Sequence, residues 1–151
     1  MGEGPNGKHW RQKGRRRFRL ADIAQQLVGG SLLAGPFVVT EEVWALARNM
    51  SGLQSAATVG IVAAVGYASL YKAAPDRDPD READVGGVPL RFLSLMTVSF
   101  GAVAVLAVTL GAPATFLDDL SGSERVLVTL RAISVGAIFS VVGAATADSL
   151  Y

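Results

Sequence analysis

Beyond residue 19 the chain alternates between four apolar runs and short polar breaks. The first run reads in two registers, Leu20 to Val39 or Leu27 to Ala47. Either is about 20 residues, enough for a helix to cross a hydrocarbon core of roughly 30 Å. A long, tilted helix over about residues 22–46 covers both registers. It carries Asp22, Gln25 and Gln26 at its start and Glu41 and Glu42 near its end. The second run, 53–71, has no charge, and its small residues Ala56, Gly60, Ala64 and Ala68 recur every four positions. Such a stripe lets two helix backbones approach closely in lipid. The third run, 92–112, is also uncharged and meets Pro113. The fourth, 126–147, contains Arg131 and a second small stripe at Gly136, Ser140 and Ala144. This pattern predicts an all-α, polytopic membrane protein, a bundle of four transmembrane helices.

The breaks carry the charge. Residues 1–19 hold seven Lys and Arg against one acid, Glu3, and form a basic tail rich in glycine. Such a tail binds nucleic acid or anionic lipid. With an apolar run directly after it, it reads as a cytoplasmic anchor beside a membrane helix, with no nucleic-acid role. Residues 72–91 contain the quasi-repeat Pro75-Asp76-Arg77-Asp78 and Pro79-Asp80-Arg81-Glu82 and read as a solvated loop. Ser121 to Glu124 carries a capping-box spacing ahead of the fourth run. Tyr67 and Tyr71 suit an interfacial aromatic belt. With the N-terminus inside, eleven Lys and Arg lie on the inner side and three, Arg48, Arg125 and Arg131, on the outer. That bias predicts a multi-pass cell-membrane protein with both termini cytoplasmic. Arg15-Arg16-Arg17-Phe18-Arg19 followed by Ala45-Leu46-Ala47 keeps a second reading open, a cleaved twin-arginine signal.

Composition narrows the chemistry. The 151 residues are 50% hydrophobic and 18% charged, below the charge of an ordinary soluble domain. There is no cysteine and one histidine, His9, so a disulfide framework, a thiolate site and a multi-histidine metal centre within one chain are excluded. No cofactor, metal site or catalytic machinery is expected.

The polar residues within apolar surroundings are the candidates for chemistry. Glu41 and Glu42 lie towards the outer end of the first span. Arg131 lies six residues past Arg125, about 9 Å along a helix axis, at a similar depth. An unpaired charge in lipid is costly, so Arg131 is expected to pair with Glu41 or Glu42, or else to snorkel to the headgroups. Asp118 and Asp119 compete as partners. Pro36 cannot donate to the carbonyl of Leu32, which predicts a kink, with Ser31 and Thr40 as nearby hydroxyls. Glu41, Glu42, Arg131 and Thr40 thus form a candidate ion or structural polar site. Gly60, Ala64, Gly136 and Ser140 form candidate helix-packing positions.

Gly29 to Trp44, ending in Thr40-Glu41-Glu42-Val43-Trp44, resembles the first-helix signature of a prokaryotic family of integral membrane proteins (domain of unknown function 2391). The shared core is Thr-x-Glu-x-Trp, matched by Thr40, Glu42 and Trp44, and Ser140 to Ala147 is loosely similar to a later helix. The resemblance implies a membrane protein and no assigned activity. Two functions are expected in order: a structural or accessory membrane subunit, not an enzyme, held in a homo-oligomer or larger complex; or an oligomeric proton or cation transporter or channel subunit using the Glu/Arg site.

Overall fold

A computed structural model describes residues 20–72 and 84–150. The basic tail with its twin-arginine motif, and most of the charged loop with its quasi-repeat, lie outside these residues. The described elements, in order, are α1 (Leu20–Val38), α2 (Glu41–Asn49), α3 (Gly52–Tyr67) running on into a π-helical turn (Ala68–Lys72), β1 (Asp84–Val85), β2 (Val88–Pro89), α4 (Leu90–Thr109), α5 (Ala112–Phe116) and α6 (Gly122–Leu150). The described residues are mostly helical, joined by short turns, with one two-residue strand pair. Gly52–Tyr71, Leu90–Thr109 and Gly122–Asp148 are each long and apolar enough to cross a membrane. A fourth crossing is made if α1 and α2 are taken together.

The expected straight helix over residues 22–46 is not formed. It breaks at Val39–Thr40, and α2 leaves α1 at 82°. Three local causes converge. Pro36 removes a donor from the last turns of α1, although the helix continues two residues beyond it. Val38, Val39 and Thr40 are consecutive β-branched residues, poor helix formers. Glu41 and Glu42 are favoured at a helix N-terminus by the macrodipole, and Arg48 is favoured at the C-terminal turn. The two acids mark the start of a new helix.

The helix boundaries follow similar rules. Ser51 and Gln54 form a reciprocal capping box: the Gln54 amide donates to Ser51 Oγ at 3.1 Å and the Ser51 amide to Gln54 Oε1 at 2.8 Å. Ser121 precedes α6 as its spacing predicts, but Ser121 and Glu124 do not exchange these bonds among the described contacts. Gly86 and Gly87 both take positive φ, 61° and 87°, and turn the strand pair, in which Val85 faces Val88. Gly111, at φ 68°, ends α4 before Pro113, so Pro113 starts α5 instead of stopping the span.

α6 is the hub. It packs against α1 most extensively, and also against α2, α3 and α4. The contact with α1 is made backbone to backbone: a Cβ on Gly29 would meet the carbonyl of Gly143, and a Cβ on Gly143 the carbonyl of Gly29. One turn on, a Cβ on Gly30 would stand 2.6 Å from Ser140 Oγ. The stripe on α6 is therefore a packing surface, with Ser140 and Ala144 against α1 and Gly136 against Val103 of α4. The stripe on α3 is not one within the chain. Gly60 has open space where a Cβ would stand, and Ala56, Ala64 and Ala68 face outward. Thr58, Val62, Gly66 and Leu70 face inward instead, and Gly66 accommodates Met96 and Val141. α3 carries no charge and its polar residues crowd its first two turns, so spacing alone could not tell which face turns in.

Candidate functional site

Three helix ends bring charge into the interior. Asp22 opens α1, Arg91 lies in the first turn of α4, and Asp148 lies in the last turn of α6. Arg91 Nη1 donates to both carboxylate oxygens of Asp148 at 2.8 Å, and Nη2 stands 3.7 Å from Asp22 Oδ2. The Asp148 side chain is fully buried, and Arg91 is 7% exposed. One turn deeper, at Asp22 plus four and Arg91 plus three, Ser94 Oγ donates to Gln26 Oε1 at 2.9 Å. Helical spacing thus stacks two polar rungs, one ionic and one neutral, between α1 and α4. Burial of this kind is sustained only when the charges are bonded to one another, and removing one partner of such a pair costs about 3–5 kcal/mol. Tyr67 lies beside the same end, its ring tilted against Tyr71 with centroids 4.9 Å apart and edge-on to Phe92 at 5.8 Å.

Sequence reasoning missed this cluster. Arg91 reads as the last residue of a loop, Asp22 as a helix start and Asp148 as the residue after a span. The signal was present: all three fall at the same end of their predicted spans and carry opposite signs.

Above the second rung the interior keeps a few polar atoms without protein partners: Gln26 Nε2, Ser99 Oγ and Ser140 Oγ. All three residues are fully buried.

The opposite end holds the residues that the sequence singles out. Thr40 is structural: its hydroxyl donates to the Phe37 carbonyl at 2.8 Å, and its amide to the same carbonyl at 3.1 Å. Trp44 Nε1 donates to the Val38 carbonyl at 2.8 Å. These bonds satisfy carbonyls left open at the end of α1 and hold the corner. Trp44 also stacks on Phe116, with centroids 5.8 Å apart, which ties α2 to α5. Arg48 ties it further, donating through Nη1 to Asp119 Oδ2 at 3.0 Å and through Nη2 to the Phe116 carbonyl at 2.7 Å. The Arg48 guanidinium beside it holds the Asp119 carboxyl below its usual value. Arg125 Nε donates to the carbonyls of Leu117 and Leu120 at 3.2 and 3.0 Å.

Glu41 and Glu42 are exposed on α2, and neither reaches Arg131. The expected pair is not formed because the 82° corner turns α2, and its carboxylates with it, away from the line of α1. Asp118 and Asp119 do not take their place, since Asp119 bonds to Arg48. A half-open cleft of about 490 Å³ lies beside the corner, lined by Glu41, Trp44, Ala45, Arg48, Thr115, Phe116 and Asp118. Among the described residues no group of three His, Cys, Asp or Glu is placed to hold a metal ion.

The fold and the site define a class: a helical bundle with three or four membrane-length helices and an ionic cluster closing one end. No protein-family model, curated protein or solved structure matches the chain.

Proposed function

We propose that this chain is a multi-pass membrane protein of four spans, with α1 and α2 as one broken span and both termini cytoplasmic. It acts as a structural or accessory subunit and carries out no catalysis itself. The observation that carries this reading is the Asp22–Arg91–Asp148 cluster, whose guanidinium is engaged by carboxylates from two other helices. Charges committed to one another across three helices hold an architecture. In this orientation the cluster closes the cytoplasmic end, the end that the basic tail adjoins in sequence, and the span leads through α2 to the outer face with Glu41 and Glu42 exposed. The bias of Lys and Arg supports the orientation, and the resemblance carried by Thr40, Glu42 and Trp44 agrees with a membrane protein.

The unpartnered interior atoms of Gln26, Ser99 and Ser140 favour a second reading, an oligomeric proton or cation transporter. Flux in proteoliposomes separates the two. The wild type and Glu42→Gln are both expected to pass protons and sodium no faster than empty vesicles. A flux above that background that Asp148→Asn or Gln26→Leu abolished would replace the structural reading with the transport one.

A further inference from the structure

Arg131 is a charge that the fold leaves without an ion pair among the described residues. It is half-buried on α6, and its Nε is buried without a hydrogen-bond partner. No carboxylate among the described residues comes within 4.0 Å of its guanidinium. Glu41 and Glu42 are turned away, Asp119 is engaged by Arg48, and Asp22 and Asp148 lie at the far end of the bundle. A guanidinium offers five donors in a planar fork that matches an oxyanion, and near a helix end in the membrane it reaches for the headgroups.

Depth and direction identify the source of that anion. With Asp148 at the inner edge of the hydrocarbon core, about 20 residues of helix, roughly 30 Å, bring the outer edge to the neighbourhood of Thr129. Arg131 then lies about 3 Å inside that edge. Side chains on a helix lean towards its N-terminus, which for α6 is the outer end. The Arg131 side chain therefore leans over the turn of Leu127 towards the headgroups. Leu127 and Leu130 beside it face outward, 48% and 56% exposed, so no other helix of the described residues covers this flank of α6 near the interface.

We propose that Arg131 binds the phosphodiester of an outer-leaflet phospholipid. This rests on the membrane reading above. The guanidinium fork matches two phosphate oxygens, as a lysine ammonium does not.

The test uses the full chain, labelled with ¹³Cζ-arginine, in phosphatidylcholine bilayers and phosphate-free buffer, read by ¹³C–³¹P dipolar recoupling. Subtracting the Arg131→Gln spectrum from the wild type isolates Arg131. The expected result is a guanidinium carbon strongly dephased by lipid phosphorus. Arg131→Gln should fold, because it loses no protein partner, and Arg131→Lys should weaken the bound lipid's retention in detergent about tenfold, the loss of one charge-assisted bond. No difference between the wild type and Arg131→Gln overturns the proposal, as would a guanidinium dephased by a ¹³C-labelled carboxylate of a second copy. Equal dephasing in maltoside micelles with inorganic phosphate also overturns it, in favour of a free anion. Single cysteines at Asn49 and Val88 are probed in the same vesicles. Labelling of both from one side defeats the membrane topology itself, whereas labelling from opposite sides with no phosphorus contact defeats the lipid site alone.

Discussion

Trp44 joins three parts of the molecule. Its indole N–H closes the end of α1, its ring stacks on α5, and its backbone belongs to α2. Trp44→Phe keeps the ring and loses the donor, leaving the Val38 carbonyl open in a buried place. The expected loss is roughly 1–3 kcal/mol, measured by denaturant unfolding in mild detergent. At the other end, Asp148→Asn leaves Arg91 with a weakened partner while keeping the shape of the side chain. It is expected to cost about 3–5 kcal/mol in the same assay, more than Glu42→Gln, which removes an exposed charge and should fall within about 0.5 kcal/mol. If Asp148→Asn were as mild as Glu42→Gln, the cluster would not be the clamp described here.

At the scale of elements, two junctions decide the architecture. The first is the α1–α6 contact at Gly29 and Gly143, where neither helix has room for a side chain. Gly143→Val should cost more than roughly 3 kcal/mol, beyond ordinary overpacking, because backbone has to move. Gly60→Val should leave the monomer's stability unchanged, since open space stands there. A melting comparison in detergent reads both. The second junction is the Arg48–Asp119 bond between α2 and the loop before α6. The bond holds Asp119 below the ordinary aspartate value of 3.8, so in acid the folded chain binds fewer protons than the unfolded one. Its contribution is complete at neutral pH and drains away as pH falls from about 3.8 through the lower folded value. Trp44 fluorescence in a Trp10→Phe background should report a loosening of α2 over that acid range. The transition should disappear in Arg48→Gln.

At the scale of the whole molecule, charge is sorted by end. The Asp22 end joins the basic tail in sequence, and the opposite end carries Glu41, Glu42, Asp118, Asp119 and Glu124 against Arg48, Arg125 and Arg131. The chain has no cysteine, so single cysteines can be introduced without background. In right-side-out vesicles, a cysteine at Asn49 should react with an impermeant maleimide from outside, and one at Val88 only after the membrane is opened. The reverse pattern would invert the topology while leaving the bundle intact.

What the sequence determined by itself follows from interactions that are local or depend on composition alone. Apolar runs of membrane length, the exclusion of disulfide, thiolate and multi-histidine sites within one chain, and the small stripe of α6 were all legible, because length, composition and spacing need no knowledge of how helices meet. Thr40, Glu41, Glu42 and Arg48 also announced a helix start and end, a signal obscured by reading the run as one continuous span. Other features depended on how the helices meet. The sequence pointed to the small residues of α3 as a packing face, but burial chose Val62, Gly66 and Leu70 on another side, because an uncharged helix with its polar residues in the first two turns carries little mark of its inner face. It paired Arg131 with Glu41 or Glu42, but the angle at Thr40 separated them. The partnership of Asp22, Arg91 and Asp148 joins residues far apart in the chain, with Arg91 and Asp148 separated by 57 positions. Only the packing of α1 and α4 onto α6 brings those three charges within bonding distance.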